Sequence, residues 1–102
     1  MTCLKMNCPE FMARYRAAPS GSAVMLDVRN NDEVALGMLP NALHIPLGEL
    51  PARCAELDKS KEIYLYCRSG NRTQVAFDIL KQAGFPNVIC SIQGGYDLLK
   101  TL

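Results

Sequence analysis

One short segment of the 102-residue sequence places a thiol, two cations and a glycine close together. Its consecutive residues are Cys67, Arg68, Ser69, Gly70, Asn71 and Arg72. A glycine allows so short a loop to curl, so that several backbone N–H groups converge on the sulfur as an anion-binding nest. The arginines add positive charge, which favours the thiolate, the nucleophilic form of cysteine. The segment therefore predicts a reactive cysteine, with an ordinary polar turn as the alternative.

The elements on either side of Cys67 strengthen this prediction. Residues 62–66 form a short apolar run that indicates a buried strand, so Cys67 lies at its carboxyl end. Apolar residues recur at helical spacing from Thr73 onward, and Gly84 closes that helix before Pro86. The positive end of the helix dipole would then lie beside the sulfur. We expect Arg68 to face an incoming anion and Arg72 to hold the shape of the loop.

The rest of the chain alternates short apolar runs with amphipathic stretches. The runs predict strands at 3–6, 24–28, 43–45, 62–66 and 88–90. Helices are predicted from Asn7, from Asn30 or Asn31, over 50–57 and from Thr73, with a short amphipathic tail at 96–99. Strands joined by helices pair in parallel. The prediction is an α/β fold, an open parallel five-stranded sheet with helices on both faces and its crevice at the carboxyl ends.

Composition narrows the class of protein. The length fits one domain over residues 1–102. A net charge of +1 with 49% hydrophobic residues argues against a disordered chain and against a polybasic nucleic-acid binder. The sequence has no apolar run long enough for a membrane span, and its first residues lack the basic-then-apolar order expected of a secretion signal. We therefore expect a cytoplasmic protein that binds neither nucleic acid nor membrane.

Polar residues near the crevice are expected to support the site. Asp27 and Arg29 bracket Val28 at the carboxyl end of a strand, so their side chains point to one face. Hydrogen bonding to the reactive loop is the role we assign to them. His44, the only histidine, is isolated within a strand and is predicted to be structural.

The other cysteines are expected to be reduced and mostly inert. Cys3, Cys8 and Cys54 lie on separate elements without the spacing of a zinc site. Cys90 is predicted to end the fifth strand near Cys67, where it could resolve a persulfide or disulfide, although packing in the core is the favoured interpretation. No metal is predicted.

The sequence resembles the rhodanese family of single-domain sulfurtransferases. The similarity is carried by Cys67 to Thr73, by Leu26-Asp27-Val28-Arg29, by Glu33 and Gly37 with Pro40, Ala42 and Ile45-Pro46, and by Gly94-Gly95-Tyr96. The stretch Leu47-Gly48-Glu49-Leu50 and the tail are also similar to the rhodanese domain of coenzyme A-disulfide reductases.

The resemblance implies transfer of sulfane sulfur. In that family the cysteine attacks thiosulfate or a related donor, carries the sulfur as a persulfide and passes it to cyanide or a thiol. Carried over to this chain, Cys67 is catalytic and residues 68–72 bind the donor, with Asp27, Arg29 and Thr73 in support. No cofactor is implied. A partner protein or a fused disulfide reductase would be a natural companion.

Two other classes of function remain open. Phosphatases and arsenate reductases of related architecture place five residues between cysteine and arginine, whereas four separate Cys67 from Arg72. A shorter loop suits one sulfur atom better than a tetrahedral oxyanion. The third class is a relay or binding module that carries persulfide between proteins without turnover of its own.

Overall fold

The computed structural model describes residues 2–102, which contain one five-stranded sheet. The strands are β1 (Thr2–Asn7), β2 (Ala23–Asp27), β3 (Leu43–His44), β4 (Glu62–Tyr66) and β5 (Asn87–Ile92). The helices are α1 (Cys8–Ala17), α2 (Asn31–Ala35), α3 (Leu50–Arg53), α4 (Asn71–Gln82) and α5 (Tyr96–Leu99). Within the described part of the chain, no helix has both the length and the apolar character needed to cross a membrane.

All strand pairs are parallel, in the order β1-β5-β4-β2-β3. Strand β4 lies in the middle, with Leu65 opposite Leu26 of β2 and Cys90 of β5. This confirms the predicted open parallel sheet. Because all strands end at the same edge, the carboxyl end of β4 brings Cys67 to the crevice side of the sheet.

Two apolar layers pack against opposite faces of the sheet. Ile63 and Leu65 of β4 point to one face with Phe77 and Leu80 of α4. Tyr64 and Tyr66 point to the other face, as the two-residue period of a strand requires. There the ring of Tyr64 lies 5.4 Å from that of Phe11 and 5.3 Å from that of Tyr15. The helices therefore cover both faces, as predicted.

The structure moves several predicted boundaries. Helix α4 begins at Asn71, two residues before the predicted start, because Gly70 supplies the left-handed backbone (φ 96°) that turns the loop into the helix. Residues 50–57 form only the short helix α3 and a 3₁₀ turn, Cys54–Glu56. Strand β3 has two residues rather than three, and β5 continues past Cys90 to Ile92.

Candidate active site

Cys67 directly follows β4, and its side chain is fully buried. The N–H of Gly70 donates a hydrogen bond to the Cys67 Sγ over 3.0 Å. The carbonyl of Cys67 accepts from the N–H of Tyr96 over 2.7 Å. The thiol lies at the carboxyl end of its strand, as expected, but it is buried beneath the loop rather than exposed to the crevice. A molecule that reacts with this sulfur must therefore approach past the loop or with a movement of it.

Thr73 joins the loop to the sheet. Its hydroxyl lies 2.7 Å from the carbonyl oxygen of Gly70 and 3.2 Å from that of Ser91 on β5. A buried hydroxyl between two carbonyls fixes the first turn of α4 against the neighbouring strand. The structure thus places Thr73 where it holds Gly70, the donor to the sulfur.

Gly95 packs against the backbone that follows the sulfur. A Cβ atom at this position would lie 2.6 Å from the carbonyl oxygen of Arg68 and would collide with the carbonyl oxygen of Cys67. Only a residue without a side chain allows this approach. The loop after β5 and the loop after β4 are therefore in direct backbone contact at the site.

The two loop arginines have different surroundings. Arg72 forms a bidentate ion pair with Glu33 of α2, with N–O distances of 2.5 and 2.8 Å. Hydrogen bonding and attraction from Glu33 raise the pKa of Arg72 above its ordinary value. Arg68 is 71% exposed, and its Nε lies 4.0 Å from the Asp97 carboxylate. Arg72 is thus anchored, whereas Arg68 faces solvent.

Asp27 and Arg29 form a buried ion pair beneath the site. Arg29 donates to both carboxylate oxygens of Asp27 and to the Gly37 carbonyl, which lies 2.6 Å away. Burial opposes the charge of Arg29, but the hydrogen bonds to Asp27 and the electrostatic attraction of Asp27 and neighbouring acidic groups together outweigh it, so the pKa of Arg29 is raised. Burial and a hydrogen bond to Asp27 also raise the pKa of the Tyr66 hydroxyl.

Arg29 reaches the reactive loop through an aromatic ring rather than through a hydrogen bond to the loop itself. Its guanidinium lies 4.0 Å from the centre of the Tyr96 ring, a cation–π contact. Tyr96 in turn stacks on Tyr66 with ring centres 6.3 Å apart. The N–H of Tyr96 donates to the Cys67 carbonyl, so Arg29 contacts the site indirectly, through Tyr96. No spacing along the chain predicts this route, although Tyr96 belongs to the Gly94-Gly95-Tyr96 motif.

A cleft of about 330 Å³ opens beside this loop. Its lining combines charged, aromatic and apolar side chains, namely Arg29, Glu33, Leu36, Arg68, Tyr96, Asp97 and Lys100. Ser69 and Asn71 are exposed on the loop. The sequence interpretation missed Asp97 and Lys100, since nothing in their spacing from Cys67 indicated that α5 would return to the loop.

The remaining cysteines and the histidine have structural surroundings. Cys90 lies inside β5, not at its end, and burial raises the pKa of its thiol to about 11. Burial also raises the pKa of Cys8. The His44 Nε2 lies 2.7 Å from the carbonyl of Arg29. Among residues 3–102 no group of three or more His, Cys, Asp or Glu side chains could hold a metal ion.

The parallel sheet carries a buried cysteine in a short loop at the carboxyl end of its central strand. Residues 13–101 match the family model of the Rhodanese-like domain, so the chain belongs to the rhodanese-like family. A sulfurtransferase of Allochromatium vinosum is 36% identical over 80 residues, which cover 78% of this chain and 74% of that protein. The chain is therefore a member of a sulfurtransferase family.

Solved structures agree with this assignment. The human single-domain sulfurtransferase TSTD1 superposes with a TM-score of 0.73 at 25% identity, covering 92% of this chain and 93% of that one. The reduced CoADR-RHD of Bacillus anthracis superposes with a TM-score of 0.68 at 34% identity. That match covers 78% of this chain but only 14% of the other, so the same fold occurs within a much longer protein.

Proposed function

We propose that this chain transfers sulfane sulfur from thiosulfate or a related donor to a thiophilic acceptor through a persulfide on Cys67. The observation that carries the proposal is the 3.0 Å hydrogen bond from the Gly70 N–H to the Cys67 Sγ. A backbone donor aimed at the sulfur, at the amino end of a 12-residue helix, stabilises negative charge there. The name of the Allochromatium vinosum relative supports the same activity.

The first half of the cycle forms the persulfide. The Cys67 thiolate attacks the outer sulfur of thiosulfate and forms a new S–S bond. The original S–S bond breaks, and sulfite leaves with its electron pair. The outer sulfur then carries the negative charge that the thiolate brought, within reach of the loop N–H groups and α4.

The second half returns the enzyme to its starting state. A cyanide ion or a thiolate attacks the outer sulfur, which leaves Cys67 as thiocyanate or as a new persulfide. Cys67 recovers its electron pair as the thiolate. This is a double displacement, and it requires no oxidant or reductant.

The test is mass spectrometry of the protein after thiosulfate treatment, combined with a steady-state assay of thiocyanate formation. We expect a mass increase of one sulfur atom on the peptide that contains Cys67, and turnover with cyanide. Cys67→Ser should lose both while it keeps the fold, and Cys90→Ser serves as the matched control that keeps both. Turnover retained in Cys67→Ser would overturn the proposal.

The same experiment, with a phosphate-ester hydrolysis assay beside it, separates the alternative classes. A relay module would take up sulfur and release sulfite once, without sustained thiocyanate formation. A phosphatase would hydrolyse a phosphate ester and gain no sulfur. Either outcome would replace the proposed function.

A further inference from the structure

Three charged side chains form a cluster at the rim of the cleft. The Asp97 carboxylate lies 4.0 Å from Arg68 and 3.6 Å from Lys100. All three side chains are at least half exposed, at 71% for Arg68, 65% for Asp97 and 51% for Lys100. The Asp97 carboxylate is thus shared between Arg68 and Lys100 at the rim of the cleft.

The two other arginines at the site already have acidic partners. Arg72 is paired with Glu33, and Arg29 is paired with Asp27. The charge that an approaching donor meets therefore comes mainly from the rim cluster. Two cations and one carboxylate leave that cluster with a single net positive charge.

Resting on the proposed function, we propose that Asp97 is a specificity-determining residue that shifts donor preference toward monoanions. Thiosulfate carries two negative charges, whereas an organic thiosulfonate carries one. Asp97 repels both donors at the rim, and it repels the dianion twice as strongly in energy. It acts through the electrostatic potential of the cleft, not through contact with the reacting sulfur.

This charge relation gives a quantitative expectation. If removal of the carboxylate raises kcat/KM for a monoanion by some factor, it raises kcat/KM for a dianion by the square of that factor. For exposed charges several ångströms apart in water, the factors are about two and about four. Salt screens such charges, so both gains should shrink as ionic strength rises.

The test compares thiosulfate with methanethiosulfonate, with cyanide as the acceptor for both. Each donor loses its terminal sulfur to Cys67, and the leaving groups are sulfite and methanesulfinate respectively. In a double displacement, kcat/KM for the donor reports only the steps that form the persulfide. Asp97→Asn should therefore raise kcat/KM about twofold for methanethiosulfonate and about fourfold for thiosulfate at low salt.

Two further variants make the result specific. Lys100→Gln removes a cation from the same cluster and should lower the two values by the same pair of factors. Asp58→Asn makes the same change in net charge in the turn before β4, at the opposite end of the sheet, and should change neither value. A thermal unfolding curve for each variant shows that it is folded.

The outcomes separate the two proposals. If the wild-type protein transfers sulfur from neither donor, the proposed function fails and this inference fails with it. If it uses both donors but Asp97→Asn changes the two values equally, or changes neither, sulfur transfer stands and the role of Asp97 is overturned. A purely structural effect of the substitution would not distinguish the donors by charge.

Discussion

Arg68 and Arg72 are both cations, but only Arg68 is exposed to an approaching anion. Arg72 is held by two hydrogen bonds to Glu33, which connect the first turn of α4 to α2. Lys cannot reproduce this bidentate geometry, which depends on the planar guanidinium. We therefore propose that Arg68 attracts the anion and that Arg72 positions the loop.

This difference predicts two kinetic outcomes. Arg68→Ala should chiefly raise KM for thiosulfate, because it removes an attraction that ground state and transition state share. Arg72→Ala should lower kcat by about 10- to 100-fold, because the Gly70 N–H moves out of register with the sulfur. Steady-state kinetics with thiosulfate measures both. An unchanged KM in Arg68→Ala, or the same profile in both variants, would contradict this division of roles.

At the scale of elements, the site is built where four of them meet. Strand β4 presents Cys67, α4 supplies its amino end, α2 anchors Arg72 and the loop after β5 packs on the backbone. Two of these contacts join residues far apart in the sequence, Glu33 with Arg72 and Gly95 with Cys67. The geometry at the sulfur therefore depends on how these elements pack.

The ion pair between α2 and α4 predicts a pH-dependent stability. Hydrogen bonding from Arg72 lowers the pKa of Glu33 to about 2, from an ordinary value of 4.5. A depressed folded-state pKa stabilises the protein above about pH 4.5, and this contribution is lost as the pH falls toward 2. Since the pair is partly exposed, we expect Glu33→Gln to cost about 1 to 2 kcal/mol at pH 7.

Urea unfolding of wild type and Glu33→Gln between pH 2 and pH 7 measures this effect. The difference in unfolding free energy should close toward pH 2. Glu56→Gln, which removes an exposed carboxylate paired with Arg53, serves as the control and should have a much smaller effect at pH 7. A difference for Glu33→Gln that stays constant with pH would show that its charge is not the cause.

The contact between the two loops predicts a second effect at this scale. Gly95→Ala should destabilise the protein by about 1 to 3 kcal/mol and reduce sulfur transfer, because the added Cβ pushes against the Arg68 carbonyl. Gly48→Ala is the matched control, since a Cβ there meets no atom within 4 Å. Chemical denaturation and the thiocyanate assay measure the two effects. Equal results for both alanine variants would refute the proposed crowding.

For the whole molecule, stability depends on the buried sheet, whereas residues at the rim of the cleft contribute little to it. Leu65 in the central strand is fully buried between its neighbours, whereas Leu36 at the rim of the cleft is 91% exposed. A buried leucine leaves both lost apolar contact and a cavity when it is truncated. An exposed leucine leaves neither.

We therefore expect Leu65→Ala to lower the free energy of unfolding by about 2 to 5 kcal/mol and Leu36→Ala to change it by less than about 0.5 kcal/mol. Denaturant titration of both variants is the measurement. Leu36 lines the cleft, so its variant should also be tested for donor KM. A similar loss of stability in both variants would mean that the core is not organised around β4.

The sequence by itself determined the parallel sheet, the position of Cys67 after the fourth strand and the rhodanese-like family, whereas the place of that strand in the middle of the sheet came from the structure. These three features follow from local information, because apolar periodicity, helix caps and the loop motif each depend on residues that are close together along the chain. The tertiary structure decided that Cys67 is covered, that Cys90 lies within β5 with a raised pKa, and that Glu33 holds Arg72. It also brought Asp97 and Lys100 to Arg68. Such pairings depend on how distant elements pack, and no spacing along the chain encodes them.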